Sequence, residues 1–173
     1  MPKILLILYF YLAWFLCIFA GKSSHQLFAL ILPLPSFVFF FLNTEKKKEI
    51  FFKSFILLML GILSDVFGNF FGFIYFVPST PFPFLPIWLL SMWLLYISYL
   101  PFMIQFFRKK YVLAFFLGAF FGPLSYLSGA KFDLLYFASK KSIFIYSFFW
   151  GFYFLFSLYL LNNKKGELQN ENQ

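Results

Sequence analysis

Long apolar runs alternate along the chain with short polar or basic stretches. A helix needs roughly 20 apolar residues to cross the ~30 Å hydrocarbon core of a bilayer. Backbone groups in lipid must be satisfied internally, so runs of this length are expected to be helical. The pattern predicts an all-α integral membrane protein, a helical bundle with about six spans at residues 4–20, 27–42, 54–77, 84–107, 111–130 and 143–161.

These spans form one predicted transmembrane domain, residues 1–161, followed by a polar tail. The second span is the shortest, and Pro33 and Pro35 fall inside it, so we expect a break there. The tail over residues 162–173 is almost free of apolar side chains and is predicted to be disordered in the cytoplasm.

The composition supports a lipid environment. Of the 173 residues, 62% are hydrophobic and 12% are charged, whereas soluble domains average about 45–50% and 25%. So few polar residues cannot cover a water-soluble surface. Because the chain has a single cysteine, a disulfide scaffold is excluded as well.

The basic residues indicate the orientation. The net charge is +8, but the basic residues lie in short clusters between apolar runs, which is typical of membrane topology and argues against nucleic acid as a partner. With six spans, the side holding both termini carries Lys3, Lys46, Lys47, Lys48, Lys53, Arg108, Lys109, Lys110, Lys164 and Lys165. The other side carries Lys22, Lys131, Lys140 and Lys141. The positive-inside rule therefore predicts cytoplasmic termini.

Three of the predicted spans carry faces of small residues, and in the first span the face consists of Ala13, Cys17 and Ala20. Gly61, Asp65, Gly68 and Gly72 in the third span have the same spacing as Gly118, Gly122, Ser125 and Gly129 in the fifth. Small residues allow helix backbones to approach each other in lipid. We therefore predict that the two glycine faces pack directly, near Gly68 and Gly122.

Asp65 is the one acid well inside a predicted span. A carboxylate facing lipid there costs roughly 2.5–3.5 kcal/mol, so Asp65 should face the bundle interior. It is then either a structural group, protonated and donating a hydrogen bond, or a proton- or ligand-binding group. The predicted partners are Ser125, Tyr126 and the backbone carbonyl that Pro123 leaves free, and Asn69 extends the polar patch.

Other chemistry is sparse. Pro123 is expected to kink the fifth helix, and interrupted helices often line solute sites. His25 is the single histidine and is predicted to lie in an outer loop. One histidine, one cysteine and scattered acids do not form a metal site, and no phosphate-binding loop is present, so we expect no metal and no cofactor.

Several motifs resemble a known family. They are Trp14-Phe15-x-Cys17, Gly61-x-x-x-Asp65, Pro86-x-Trp88, Trp93 and the stretch Gly118-Ala119-x-x-Gly122-Pro123-Leu124-Ser125-Tyr126-x-x-Gly129-Ala130. Over residues 10–155 the chain resembles the bacterial inner-membrane proteins of domain of unknown function 2878. The resemblance implies a compact helical fold in a bacterial inner membrane and an accessory role beside lipid-modifying enzymes. The chain departs from the family pattern after Ala130, at Lys131-Phe132-Asp133.

Three functions stay open from the sequence. The first is a non-catalytic accessory or scaffold component of envelope lipid metabolism, with the bilayer and lipid-modifying proteins as partners. The second is a small proton-coupled transporter that uses Asp65 and the helix broken at Pro123. The third is an intramembrane lipid-modifying enzyme in which Asp65 acts with Tyr126 or Ser125 as acid and base.

Overall fold

The computed structural model describes residues 3–23, 26–42, 47–77, 85–107 and 109–162. The tail and His25 lie outside the described residues. The elements are helices α1 (Lys3–Lys22), α2 (Leu34–Leu42), α3 (Lys47–Phe70), α4 (Ile87–Phe107), α5 (Tyr111–Lys131) and α6 (Lys140–Asn162), a 3-10 helix (Gln26–Ile31), and strands β1 (Ile74–Phe76) and β2 (Leu135–Phe137). Among the described residues, four helices (α1, α3, α5 and α6) are long and apolar enough to cross a membrane.

Helix α4 occupies the centre of the bundle. It contacts each of the other helices, and its buried side chains include Trp88, Trp93 and Leu100. The outer helices instead expose large apolar side chains, such as Phe116 at 62% and Phe120 at 64%. This distribution suits a lipid surrounding, because the bundle hides its polar and small residues and presents apolar ones outward.

The second predicted span is not a continuous helix. The 3-10 helix ends at Ile31, and α2 begins only at Leu34. Proline has no backbone N–H and cannot continue a helical hydrogen-bond ladder, which explains the break at Pro33. The Tyr9 hydroxyl donates to the Leu32 carbonyl at 2.5 Å, so a side chain of α1 satisfies an acceptor at the break.

Helix α3 ends at Phe70, seven residues before the predicted end of its span, because a Schellman motif terminates it. The N–H of Phe73 donates to the Gly68 carbonyl at 2.8 Å, and the N–H of Gly72 donates to Asn69 at 3.1 Å. Gly72 has φ +70°, which glycine adopts without steric cost. The placement of Gly72 on a helix-packing face is therefore wrong: it is the turn residue after α3.

Helix α5 ends in the same motif, with Asp133 at φ +56° in the position of Gly72. Leu134 N–H donates to Gly129 at 3.1 Å, and Asp133 N–H donates to Ala130 at 3.0 Å. Each motif leads into a short strand. The two strands pair antiparallel with Tyr75 opposite Tyr136, and their rings stack at 5.0 Å. The expectation of helices alone did not include this small sheet.

The units α3–β1–α4 and α5–β2–α6 are structural repeats. Corresponding residues of α3–β1 and α5–β2 lie 61 positions apart, as Asp65 and Tyr126 do. Shared residues at this offset are Gly61 and Gly122, Ser64 and Ser125, Gly68 and Gly129, and Tyr75 and Tyr136. Both serines donate to the glycine carbonyl three residues earlier, at 2.7 and 2.6 Å. The second helices share Trp93-x-x-Tyr96 and Trp150-x-x-Tyr153.

The two ends of the bundle differ in chemistry. One end, here called the strand end, carries β1 and β2; the other, the basic end, carries the start of α3 at Lys47. The Tyr99 hydroxyl donates to the Leu6 carbonyl, and Lys22 lies 3.5 Å from Asp133 at the strand end. Helix α1 therefore starts at the basic end, where α6 also finishes. The number of spans and the cytoplasmic location of the termini stay predictions.

Candidate functional site

The carboxyl group of Asp65 lies in the middle of the bundle. Its position in α3 places it on the same face as Gly61 and Gly68, and its side chain is fully buried, with an exposed fraction of 0%. This placement follows from the cost of exposing an acid to lipid. Lys131 lies far along α5 at the strand end and is exposed to the surroundings.

Three ring side chains from three other helices donate hydrogen bonds to Asp65. The indole N–H of Trp93 donates to Oδ2 at 2.7 Å, and the hydroxyl of Tyr126 donates to Oδ1 at 2.8 Å. The hydroxyl of Tyr146 lies farther away, 3.5 Å from Oδ1. One acid thus connects α3 with α4, α5 and α6. In these bonds both oxygens of Asp65 accept, whereas the structural alternative drawn from the sequence has a protonated Asp65 that donates.

A cluster of aromatic rings surrounds the bonded acid. Trp93 and Trp150, the counterparts in the two repeats, stack at 5.1 Å with an interplanar angle of 5°. Tyr153 packs edge-on against Trp93 at 5.6 Å and donates its hydroxyl to the Leu57 carbonyl at 2.9 Å. The rings shield the carboxyl group from lipid and give the centre of the repeat pair a rigid packing.

The glycines make room for these rings. A Cβ atom on Gly61 would collide with Trp93, and one on its counterpart Gly122 would collide with Trp150. A Cβ atom on Gly68 would collide with the Tyr146 hydroxyl. The predicted direct packing of Gly68 against Gly122 is therefore wrong: two aromatic side chains of α6, Tyr146 and Trp150, occupy the space before these glycines.

Close approach of two backbones does occur, but between α5 and α6. A Cβ atom on Gly118 would lie 2.7 Å from the Trp150 carbonyl oxygen and 2.9 Å from the Cβ of Phe154. From the α6 side, a Cβ atom on Gly151 would lie 2.6 Å from the ring of Phe115. Gly129 has more space, since the nearest atom to an added Cβ is 3.2 Å away on Leu135.

The remaining predicted site residues take other roles. Ser125 donates to the Gly122 carbonyl and not to Asp65. Asn69 is half-buried, and its backbone carbonyl takes part in the turn after α3. Pro123 is buried inside α5, which continues through it as one helix, so the helix is not interrupted there. Of the four polar candidates, the structure brings Asp65 and Tyr126 together.

Trp93 and Tyr146 were not predicted as partners of Asp65. The signal available in the sequence is the repeated Trp-x-x-Tyr pattern, which places Trp93 and Trp150 at matching positions. Tyr146 has no comparable signal, because it reaches Asp65 only through the packing of α6.

The chemistry that this arrangement allows is limited. A cavity of about 460 Å³ lies between α2, α3 and α4, but none of Asp65, Trp93, Tyr126 and Tyr146 lines it. Within the described ranges, no three His, Cys, Asp or Glu side chains are grouped as metal ligands would be. The donors to Asp65 are neutral rings, which hold the acid in place and leave its two oxygens occupied.

A family model described as protein of unknown function (DUF2878) matches residues 3–156. The chain belongs to this family. The match confirms the resemblance drawn from the motifs around Asp65 and Gly122, and it covers both repeats up to the last turns of α6. No curated protein and no solved structure matches the chain.

The family match covers every residue of the bonded cluster. Asp65, Trp93, Tyr126, Tyr146 and Trp150 all fall inside the matched range. The predicted departure from the family pattern, Lys131-Phe132-Asp133, lies at the end of α5 and in the turn after it, where the Asp133 side chain is 88% exposed.

Proposed function

We propose that this member of the family is a multi-spanning bacterial inner-membrane protein that serves as a non-catalytic accessory or scaffold component in envelope lipid metabolism. The distribution of basic residues supports the cytoplasmic termini. The inner membrane rests on the family resemblance. The lipid connection rests on the family resemblance.

The observation that carries the non-catalytic role is the closed environment of Asp65. The acid is fully buried, and donors already occupy both of its oxygens. A general acid or base must come within hydrogen-bond reach of a substrate atom. Since the cavity between α2, α3 and α4 is lined by neither Asp65 nor Tyr126, the pair supports a structural role better than the lipid-modifying enzyme.

A proton-coupled carrier is the second candidate, and one observation favours it. Asp65 lies between the two repeats and bonds to its own counterpart, Tyr126. Transporters with parallel repeats bind substrates and coupling ions near the bilayer midplane at the repeat interface. The continuity of α5 through Pro123 counts against this candidate, because it removes the interrupted helix on which the transport hypothesis depended.

Purification from native membranes tests the accessory role. The tagged chain is crosslinked in its host, and the bound proteins and lipids are identified. The control is an unrelated tagged membrane protein of similar size. We expect a lipid-modifying enzyme to be enriched with the chain alone. Absence of any enriched protein would contradict the proposal.

Complementation of a deletion strain separates the two candidates. Asp65→Asn keeps the shape of the side chain and one acceptor oxygen, replaces the other oxygen by an NH₂ donor, and cannot release a proton. We expect Asp65→Asn to restore the phenotype as an accessory protein should. A variant that is folded and present in the membrane, yet fails to restore it, would favour the carrier.

A further inference from the structure

A cavity lies at the basic end of the bundle, in the first repeat. Its volume is about 460 Å³, within the roughly 300–1,000 Å³ of ligand pockets. Its walls come from α2, α3 and α4 and are apolar apart from Ser54 and Lys47. Lining residues such as Val38 and Phe51 are also exposed, at 58% and 67%, so the cavity opens onto the lipid-facing surface.

The two repeats differ in the side chain at this place. The counterpart of Ser54 in α5 is Phe115, whose ring fills the gap between α5 and α6 and packs over Gly151 and against Phe152 at 5.1 Å. In the first repeat the small Ser54 faces Leu94 and Ile97 of α4 across the cavity. The first repeat thus lacks the ring that closes the second.

The hydroxyl of Ser54 also has unused hydrogen-bonding capacity. Its side chain is buried, with 7% exposed, and its Oγ has no hydrogen-bond partner among the described residues. A buried hydroxyl without a partner costs free energy, and serines in helices usually bond to a carbonyl of the preceding turn. Ser54 therefore offers a donor to a ligand in the cavity.

The side chains of α3 that line the cavity form one stripe ending in a positive charge. Lys47, Phe51, Ser54, Phe55 and Leu58 recur at helical spacing, so they lie on a single face. Lys47 lies at the headgroup end of this stripe, where basic side chains attract anionic lipid. From the mouth inward, the cavity offers a cation, then a hydroxyl donor, then apolar walls.

We infer that the cavity binds an anionic phospholipid from the surrounding membrane. One acyl chain fills the apolar space between α2, α3 and α4, an ester carbonyl accepts the hydrogen bond of Ser54, and the phosphate contacts Lys47. The order of groups along a phospholipid, with phosphate, ester and chain in sequence, matches the order of Lys47, Ser54 and the apolar wall.

Native mass spectrometry of the delipidated full chain tests this site. The chain is titrated with 1-palmitoyl-2-oleoyl phosphatidylglycerol and, separately, with phosphatidylcholine carrying the same chains. We expect one saturable phosphatidylglycerol. Ser54→Phe installs the residue of the second repeat and should weaken that binding about tenfold. Leu60→Phe, on the lipid-facing side of α3, is the matched control and should bind like the parent.

Two further variants keep the test decisive. Leu94→Phe narrows the cavity from α4 and replaces Ser54→Phe if that variant unfolds in detergent. Lys47→Gln should weaken phosphatidylglycerol binding about fivefold and leave phosphatidylcholine binding unchanged. Equal retention by the parent and by a folded cavity-filling variant would overturn the site. Equal binding of the two lipids, unaffected by Lys47→Gln, would overturn the headgroup assignment.

The site does not depend on the accessory role. Saturable lipid binding without any enriched partner protein would contradict the proposed function and leave the site intact. If a partner protein is enriched but Ser54→Phe does not alter lipid binding, the lipid site is contradicted and the proposed function is left intact.

Discussion

At the scale of single residues, Asp65 is an acceptor shared by three rings. Asp65→Asn preserves the shape and offers an oxygen to Trp93, while its NH₂ group can donate to the Tyr126 hydroxyl. We expect this variant to fold like the parent. Asp65→Leu leaves the buried donors of Trp93 and Tyr126 without an acceptor, which lowers the free energy of unfolding by about 1–3 kcal/mol for each. Thermal unfolding in detergent measures the difference.

Asp133→Asn is the control for this pair of variants. It makes the same chemical change at an acid whose side chain is 88% exposed, so the unfolding temperature should not move. If Asp65→Leu and the parent unfold at the same temperature, Asp65 does not stabilise the packing of the four helices.

The two tryptophans provide a second prediction at this scale. Both are buried in the same ring stack, but of the two only Trp93 donates to Asp65. Trp93→Phe and Trp150→Phe remove similar volumes. We expect the first to lower the free energy of unfolding by about 0.5–3 kcal/mol more than the second, the range for hydrogen bonds that includes those to charged groups. Equal losses in chemical denaturation would mean that this bond contributes nothing.

At the scale of helices, glycines leave the space that aromatic rings of neighbouring helices occupy. Gly122→Leu places a branched side chain where Trp150 lies, and overpacking of this kind costs about 1–3 kcal/mol. Phe116→Leu, at a residue 62% exposed on the same helix, should change stability little. Indistinguishable unfolding temperatures for the two variants would show that the α5–α6 interface tolerates the added volume.

The paired helix ends give another prediction for the elements. Gly72 and Asp133 hold the same left-handed position, at φ +70° and +56°. Gly72→Ala should lower stability by about 1–2 kcal/mol, because a Cβ atom is disfavoured in this region. Asp133→Gly should be neutral or stabilising, since the exposed ion pair with Lys22 is worth only about 0–1 kcal/mol. Loss of stability in Asp133→Gly would show that this pair matters more than the backbone.

At the scale of the whole molecule, the six-span arrangement and the orientation are testable together. Reporter fusions at Ser79, Lys109 and Asn170 probe the segment after β1, the turn between α4 and α5, and the tail. We expect a periplasm-specific reporter to be active only at Ser79. Activity at Lys109 or Asn170 would contradict cytoplasmic termini and an even number of crossings.

What the sequence alone determined is the class of the protein and the location of its helices. Apolar length is a local property, so the bounds of α1, α4, α5 and α6 could be predicted to within three residues, whereas α3 begins and ends seven residues before its predicted span. The burial of Asp65 followed from the cost of an acid in lipid. Its proximity to Tyr126 was among the alternatives, beside Ser125 and the carbonyl that Pro123 leaves free.

Only the tertiary structure decided the rest. Trp93 and Tyr146 reach Asp65 from other helices, and no local pattern encodes which ring meets a carboxyl across a bundle. The pairing of β1 with β2 likewise requires the turns at Gly72 and Asp133 to lie at the same end of the bundle. The glycines were recognised as interface residues, but a small residue fits a backbone or a ring equally well. Which of the two fills the space depends on where α4 and α6 pack, and that is set by the whole fold.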